Sequence, residues 1–405
     1  MAPRSTRHRF DSTRLARIDA HFQKFVDDGR LPGFQVIVGH GGEVAYETTY
    51  GCRDIEAKTP WSADTIFRLY SNTKIVTAVA ALMLWEEGAF ELRTPLHTYI
   101  PAFKDTPVYK VGTAAAPITV PQLEPIRMWH LFSHTSGLSY GFLHANPVDA
   151  IYRNNGFEWG VPSGMNLEAV CNKLAELPLA FQPGAEWNYS MSTDVLGRVV
   201  EVCSGMALDE FFRTRIFEPL QMSDTAFWCP ESKQDRLAAL YAPVGPGRTA
   251  ARLDAMGNPA KEPPAALLGG GGLVGTANDY HRFLQMLNNG GELNGVRLLS
   301  PTTIAMMASN HLPGNADLTA FGRPLFAETS FDGVGFGLAV SVTLDPVAAK
   351  VPGSAGDYGW GGAASTWALV DPVEDLTVFF ATQLLPSSTW PIRSQIRPLL
   401  YQALI

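Results

Sequence analysis

Two apolar-rich stretches near the start of the chain predict a pair of β-strands. They cover residues 34–39 and 44–49, and a polar turn with two glycines, residues 40–43, lies between them. Such a turn between two strand-like runs is typical of a β-hairpin. Ahead of the hairpin, residues 10–26 are amphipathic and predict a helix that ends near Gly29.

The period of the apolar positions changes after residue 71. Apolar side chains now recur at helical spacing up to Gly88, which predicts a helix that begins at or near Ser71. Residues 90–270 mix short helices with loops rich in proline and glycine. They include a helix over residues 193–203 and a long surface loop over residues 243–264.

Strand-like runs return near the end of the chain. The sequence predicts a helix at 278–287, strands at 335–343, 365–370 and 376–384, and a final helix at 391–404. We therefore expect an α+β fold in which one antiparallel sheet is built from both chain ends and flanked by helices. Residues 1–70 and 275–405 would form this α/β subdomain, and residues 71–274 an inserted, mainly helical one. A cleft is expected at their junction.

Composition narrows the functional classes. Hydrophobic residues make up 46% of the 405 residues and charged residues 17%, below the roughly 25% of an average globular chain. The 31 Lys and Arg residues are outnumbered by 39 Asp and Glu residues, which gives a net charge of -8 without long blocks of like charge. Nucleic acid and anionic membrane surfaces bind basic proteins, so the sequence predicts neither as a partner.

The sequence also argues against membrane insertion and export. Its longest nearly uncharged apolar run, residues 75–85, is about half of the ~20 residues needed to cross a bilayer. Residues 1–9 are basic, but Asp11, Asp19 and Lys24 follow where a signal peptide has its apolar core. We therefore expect a cytoplasmic protein with four reduced, structural cysteines.

The chemistry begins with a Ser-x-x-Lys at the mouth of the first apolar helix. Ser71 and Lys74 are three positions apart, so they share one helical face and the amine can reach the hydroxyl. A serine hydroxyl is a weak nucleophile until a base takes its proton, and a lysine serves as that base where burial or nearby positive charge lowers its pKa. Taken alone, the pair favours the structural interpretation, a helix-capping serine and a solvated lysine, because Ser-x-x-Lys occurs by chance in most chains of this size.

Two further segments could complete such a site. Tyr189 stands just ahead of the helix at 193–203, where its phenol could relay a proton. Trp360, Gly361 and Gly362 lead towards the strand at 365–370, and the backbone N–H of Ala363 could pair with that of Ser71 to hold an oxyanion. A packed core tyrosine and a simple tight turn are the structural alternatives for these two segments.

Together, Ser71-x-x-Lys74, Tyr189-Ser190-Met191 and Trp360-Gly361-Gly362 resemble the three motifs of the serine β-lactamase and penicillin-binding protein superfamily. Within it the sequence is most similar to the family VIII carboxylesterases, which share the class C β-lactamase fold. The resemblance covers about residues 15–400, and residues 131–138 and 269–275 support it.

The resemblance implies a serine hydrolase that cleaves small carboxylic esters through an acyl-Ser71 intermediate. Ser71 would be the nucleophile, Lys74 and Tyr189 the acid/base pair, and no metal or organic cofactor is implied. The chain departs from the penicillin-recognising pattern, because Met191 replaces an asparagine and Trp360 replaces a lysine. Loss of these polar groups favours a neutral ester over a β-lactam. Trp360, Gly361, Gly362 and Met191 would contact substrate.

Alternatives stay open at this point. The same fold serves acyltransferases, β-lactamases and D-peptidases, and a non-catalytic penicillin-binding-like protein belongs to another functional class. Residues 137–141 fit the G-x-S-x-G of α/β-hydrolases, with Ser139 as its serine, but lack the strand before it. Residues 270–275 fit a dinucleotide-binding G-x-G-x-x-G, again without a clear preceding strand. His130 and His134 share a helical face but lack a third zinc ligand.

Overall fold

The structure is a computed structural model, and residues 9–323 and 330–405 of it are described below. Most of the basic N-terminal stretch used to predict location, residues 1–8, lies outside the described residues. The α-helices of the described chain are α1 Ser12–Asp27, α2 Thr73–Glu86, α3 Met128–Phe132, α4 Pro147–Asn154, α5 Leu167–Glu176, α6 Ser192–Ser204, α7 Leu208–Phe212, α8 Asp254–Gly257, α9 Ala277–Asn288, α10 Pro301–Met307, α11 Leu318–Phe321, α12 Pro346–Ala349 and α13 Ile392–Tyr401.

The strands fall into one large sheet and several two-stranded ribbons. The large sheet is antiparallel, in the order β12-β13-β14-β15-β16-β1-β2-β3, and the ribbons are β4-β9, β5-β6, β7-β8 and β10-β11. The strands are β1 Gly33–His40, β2 Glu43–Asp54, β3 Thr59–Pro60, β4 Phe67–Arg68, β5 Val108–Thr113, β6 Ala116–Val120, β7 Tyr241–Val244, β8 Thr249–Arg252, β9 Val274–Gly275, β10 Glu292–Leu293, β11 Val296–Arg297, β12 Val334–Phe336, β13 Ser341–Thr343, β14 Tyr358–Gly361, β15 Trp367–Asp371 and β16 Leu376–Ala381.

This sheet confirms the predicted fold class. Its strands come from both ends of the chain, because β1 pairs with β16 and Val36 lies opposite Phe380. The intervening residues contribute α2 to α8 and short ribbons. The division into residues 1–70 with 275–405 and residues 71–274 stays a prediction.

Helices cover both faces of the sheet. Successive side chains of a strand point to opposite faces. Val36 and Val38 accordingly pack in a cluster with residues of α1 and α13, whereas Ile37 packs in the larger core that contains α2 and α9. Strand β1 is therefore buried on both faces. The apolar helix α2 is buried from Thr73 to Leu84, which makes it the central helix of the larger core.

Local predictions differ from the structure at three places. The strand expected over 335–343 is two strands, because residues 337–340 form a turn in which Ala339 has φ +63°. The surface loop expected over 243–264 contains β8 and α8. Helix α2 begins at Thr73, two residues after Ser71, at or near which its start was predicted, since a 3₁₀ turn, Tyr70–Asn72, precedes it.

Two further expectations concern membrane-spanning helices and the state of the cysteines. Every helix among residues 9–323 and 330–405 is too short or too polar to span a lipid bilayer. Cys52, Cys171, Cys203 and Cys229 are all free thiols, as predicted.

Candidate active site

Ser71 stands in the 3₁₀ turn between β4 and α2, and the backbone ahead of it is unusual. Tyr70 has φ +45°, a left-handed conformation that bulky residues rarely adopt and that persists where surrounding packing enforces it. Here Tyr70 packs against a buried cluster that contains Ala364 and Leu385. The turn that presents Ser71 is thus fixed against the residues that follow β14.

Lys74 is the second residue of α2, and its side chain is buried. Its Nζ donates to Ser71 Oγ at 3.3 Å, to Tyr140 Oη at 3.0 Å and to the Gly270 carbonyl at 2.6 Å. These acceptors match the three N–H bonds of an ammonium group. A neutral amine could keep the contacts to Tyr140 and Gly270 and turn its lone pair towards Ser71.

Asp194 completes this network from α6. Its carboxylate accepts the Gly270 N–H at 2.8 Å and the Tyr140 hydroxyl at 3.5 Å. Burial raises the pKa of Asp194, and the charge of Lys74 opposes that rise. Burial, and next the charge of Asp194, raise the pKa of Tyr140, so this phenol stays protonated. Neither residue is predicted from the sequence, although Tyr140 lies in the G-x-S-x-G segment and Asp194 in the predicted helix at 193–203.

Tyr189 lies close to the other side of the Ser71 hydroxyl. Its Oη is 2.5 Å from Ser71 Oγ, and it receives a hydrogen bond from the Trp360 indole N–H at 3.2 Å. Lys74 Nζ is 4.6 Å from the centre of the Tyr189 ring. The phenol oxygen is therefore held between the Ser71 hydroxyl and an indole donor.

Trp360 and Gly361 are the last two residues of β14, and β15 begins only at Trp367. The Trp360-Gly361 pair therefore lies at the end of β14 rather than leading directly into β15, as the sequence predicts. Gly362 approaches the nucleophile turn so closely that a Cβ there would collide with the Thr366 hydroxyl and the Leu69 carbonyl. Only glycine fits at position 362, where the two backbone segments cross.

Asn72 connects the nucleophile turn to the turn between β14 and β15. Its Nδ2 donates to the Trp360 carbonyl at 3.1 Å, and its Oδ1 accepts from the Thr366 hydroxyl at 2.6 Å. Thr366 Oγ1 also accepts the Gly362 N–H at 3.1 Å. This fully buried web holds the two segments in register, and the sequence analysis did not identify Asn72 as part of it.

A small cavity opens at the Ser71 hydroxyl. Its volume is about 50 Å³, which leaves room for only a few water molecules. In the part of the chain that the structure describes, neither the Ser71 nor the Ala363 backbone N–H donates to a protein acceptor. The cavity is lined by Ser71, Phe142, Tyr189, Phe331, Trp360, Gly361, Gly362, Ala363, Ser387 and Arg393.

Met191 and the competing motifs contribute no residue to the lining of this cavity. Met191 is buried in the core and is not among the residues that line this cavity, so its contact with substrate stays a prediction. Ser139 Oγ donates to the buried Asp149 at 2.5 Å, which is a structural role. In the glycine-rich segment, Gly270 binds Lys74 and Asp194. No group of His, Cys, Asp and Glu within the described ranges could hold a metal ion.

His130 has a structural position at the start of α3. Its Nδ1 accepts the Arg127 N–H at 2.9 Å, and its ring contacts Trp129. Burial, with a smaller contribution from the charge of Arg127, lowers the pKa of His130 to about 4. The ring is therefore neutral in the folded protein at neutral pH.

This low pKa predicts a stability that depends on pH. An unfolded histidine has a pKa near 6.5, so between about pH 6.5 and 4 the unfolded state binds a proton that the folded state does not. As pH falls through this window, His130 should lower the free energy of unfolding by about 1.4 kcal/mol per pH unit. Urea unfolding at several pH values should give a shallower dependence for His130→Gln by this amount. Identical slopes for His130→Gln and the wild type would contradict the assignment.

Comparison with known proteins decides the family. The Beta-lactamase family model matches residues 18–396. The chain belongs to the Beta-lactamase family. Among its relatives, Esterase EstB from Burkholderia gladioli is 32% identical over 386 residues, covering 91% of this chain and 90% of that protein. Protein Rv1367c from Mycobacterium tuberculosis is 35% identical over 373 residues, covering 91% of this chain and 89% of that protein.

The fold of this Beta-lactamase family member also resembles those of solved structures. EstCE1, described as a hydrolase with promiscuous acyltransferase activity, superposes with a TM-score of 0.80 at 28% identity and covers 96% of this chain and 99% of its own. The resemblance inferred from the three motifs is confirmed: the fold is that of a family VIII esterase-like serine hydrolase. The family has both esterase and acyltransferase members among the relatives of this chain.

Proposed function

We propose that the protein is a carboxylesterase that cleaves small neutral esters through an acyl-enzyme on Ser71. The observation that carries this proposal is the position of one hydroxyl between two proton-transfer groups. Ser71 Oγ lies 3.3 Å from Lys74 Nζ and 2.5 Å from Tyr189 Oη. Both distances are within or close to the range that proton transfer requires.

In the proposed reaction the Ser71 hydroxyl attacks the ester carbonyl carbon and its proton passes to the Lys74–Tyr189 pair. The negative charge that develops on the carbonyl oxygen is held by the backbone N–H groups of Ser71 and Ala363. The C–O bond to the alcohol then breaks, and Tyr189 returns the proton to the leaving oxygen. Water adds to the acyl-enzyme by the same route and releases the acid.

A neutral substrate is favoured by the group that stands in place of the expected lysine. The Trp360 indole N–H is used by Tyr189 and carries no charge. At Trp360 a substrate carboxylate would gain only a neutral donor that is already engaged, and Arg393, the cation that lines the cavity, donates to the Gly362 carbonyl. An ester with no ionised group requires no charged partner in the site.

The test is a turnover screen of chromogenic esters with acyl chains of increasing length, with a chromogenic cephalosporin alongside. We expect hydrolysis of short-chain esters and little or none of the cephalosporin. Mass spectrometry of the protein quenched during turnover should show one acyl group on a peptide that contains Ser71. Cephalosporin turnover exceeding that of every ester would refute the proposed substrate class.

A second function, transfer of the acyl group to an alcohol, is supported by the likeness to EstCE1. Both functions share the acyl-enzyme and differ only in the acceptor. Adding an alcohol to a hydrolysis assay separates them. An esterase gives mainly free acid, whereas an acyltransferase gives mainly the new ester.

The hydrogen bond from Trp360 to Tyr189 predicts a specific loss of rate. Trp360→Phe keeps an aromatic ring but removes the indole N–H, so the Tyr189 oxygen loses a donor when it carries negative charge. A hydrogen bond to a charged group contributes about 1.5 to 3 kcal/mol, so we expect kcat to fall about 10- to 100-fold. A change in KM alone would mean that Trp360 only contacts substrate.

A further inference from the structure

A stack of three aromatic rings leads from the catalytic lysine to the protein surface. Tyr140, which binds Lys74, stacks on Phe142 with ring centres 4.6 Å apart and an angle of 24°. Phe142 stacks in turn on Trp159 at 4.6 Å and 11°. Trp159 is 47% exposed, so the outer end of the stack is open to solvent.

A second aromatic wall borders the same cavity. Phe331 stacks on Trp360 with ring centres 6.3 Å apart and an angle of 16°. Phe142 and Phe331 both line the cavity at Ser71. A group that leaves this cavity towards Trp159 therefore passes along aromatic surface.

The size of the cavity determines what this surface can receive. About 50 Å³ accommodates the reacting ester group and little more. A bulky substituent must extend outside it. An exposed tryptophan that continues a stack of nearly parallel rings offers a flat apolar face, and planar rings bind such faces in offset-stacked geometry.

From this arrangement we infer that Phe142 and Trp159 form a subsite for an aromatic ring of the ester substrate. The inference rests on the proposed ester hydrolysis at Ser71 and specifies its substrate class. The ring can belong to the acyl group or to the alcohol. In either case the contact is made by the exposed side of Trp159 and the edge of Phe142, because the Phe142 ring is already stacked on Tyr140 and Trp159, and no ionic partner is required.

Three esters and three variants test the subsite. Ethyl butanoate carries no ring, 1-naphthyl butanoate carries one on the alcohol, and ethyl 4-phenylbutanoate carries one on the acyl group. Their kcat/KM values would be measured by pH-stat titration for the wild type, Trp159→Ala, Trp159→Phe and Leu123→Ala. Leu123 is a matched apolar residue, 82% exposed and absent from the cavity lining.

We expect Trp159→Ala to lower the ratio of kcat/KM for a ring ester to that for ethyl butanoate about 3- to 10-fold. Trp159→Phe, which keeps a stacking ring, should restore most of the ratio, and Leu123→Ala should leave it unchanged. Which ring ester responds identifies the side of the substrate that is bound. Unchanged ratios in Trp159→Ala, or an equal fall in Leu123→Ala, would overturn the inference.

The two proposals fail in different ways. If Ser71→Ala still hydrolysed ethyl butanoate at the wild-type rate, the proposed function would fall. If turnover required Ser71 but no ratio responded to Trp159, only the ring subsite would be wrong.

Discussion

Replacing Ser71 with alanine should lower kcat for ester hydrolysis by about 10⁴-fold or more, because it removes the hydroxyl that contacts Lys74 and Tyr189 and on which we propose that the acyl-enzyme forms. The substitution removes one oxygen atom and leaves the fold intact. Residual turnover would come from the oxyanion donors and from substrate positioning alone. The measurement is kcat on a chromogenic butanoate ester, together with mass spectrometry for loss of the acyl adduct.

Ser139→Ala is the matched control, because Ser139 is the serine of the competing G-x-S-x-G. Its hydroxyl donates to Asp149 and lies outside the Ser71 cavity. We expect a loss of stability but retention of turnover per folded molecule. If instead Ser139→Ala were inactive and Ser71→Ala active, the nucleophile would be Ser139 and the proposed mechanism would be abandoned.

Tyr189→Phe is the second variant with a large expected effect. It removes the oxygen that is 2.5 Å from Ser71 Oγ, and with it the group proposed to protonate the leaving alcohol. General acid–base catalysis contributes about 10²- to 10⁴-fold, so kcat should fall within that range. Esters of acidic phenols, whose leaving groups need no proton, should lose less than esters of alkyl alcohols. The comparison of these two substrate classes is the informative measurement.

Tyr152→Phe provides the control for removing a buried phenol oxygen. Tyr152 is fully buried, and its hydroxyl accepts the Ser139 N–H at 3.4 Å, away from Ser71. We expect wild-type selectivity between the two ester classes. An equal loss of activity for both classes in Tyr189→Phe would show that Tyr189 positions Ser71 without transferring a proton to the alcohol.

Much of the fold could be predicted because its elements carry local signals. The hairpin at residues 34–49 has glycines at its turn, and both Gly41 and Gly42 adopt positive φ. Helix α9 was predicted to within one residue at each end. The predictions failed where tertiary packing overrides local pattern. The left-handed Tyr70 delays α2 until Thr73, and the turn after Phe336 divides an apparently continuous strand.

The site could be predicted only in part, for a similar reason. Ser71 and Lys74 are close in sequence, so helical geometry alone brings them together. The partners of Lys74 come from segments that share no periodicity, and spacing gave no means of joining Tyr140 and Gly270 to it. The role of Asn72 could not be predicted from the sequence for a different reason. Its contacts with Trp360 and Thr366 cross almost 300 positions, and an asparagine beside a serine at a helix start resembles an ordinary cap.

The pairing of β1 with β16 has a consequence for biosynthesis. Residues 33–40 are synthesised more than 330 residues before their hydrogen-bonding neighbour at 376–381. Until then the nascent chain carries an apolar strand with one open edge, a template for intermolecular aggregation. Hydrolytic activity should consequently arise only after residues 376–381 have been synthesised and paired with β1, and holdase chaperones that shield such edges should raise the yield of active enzyme.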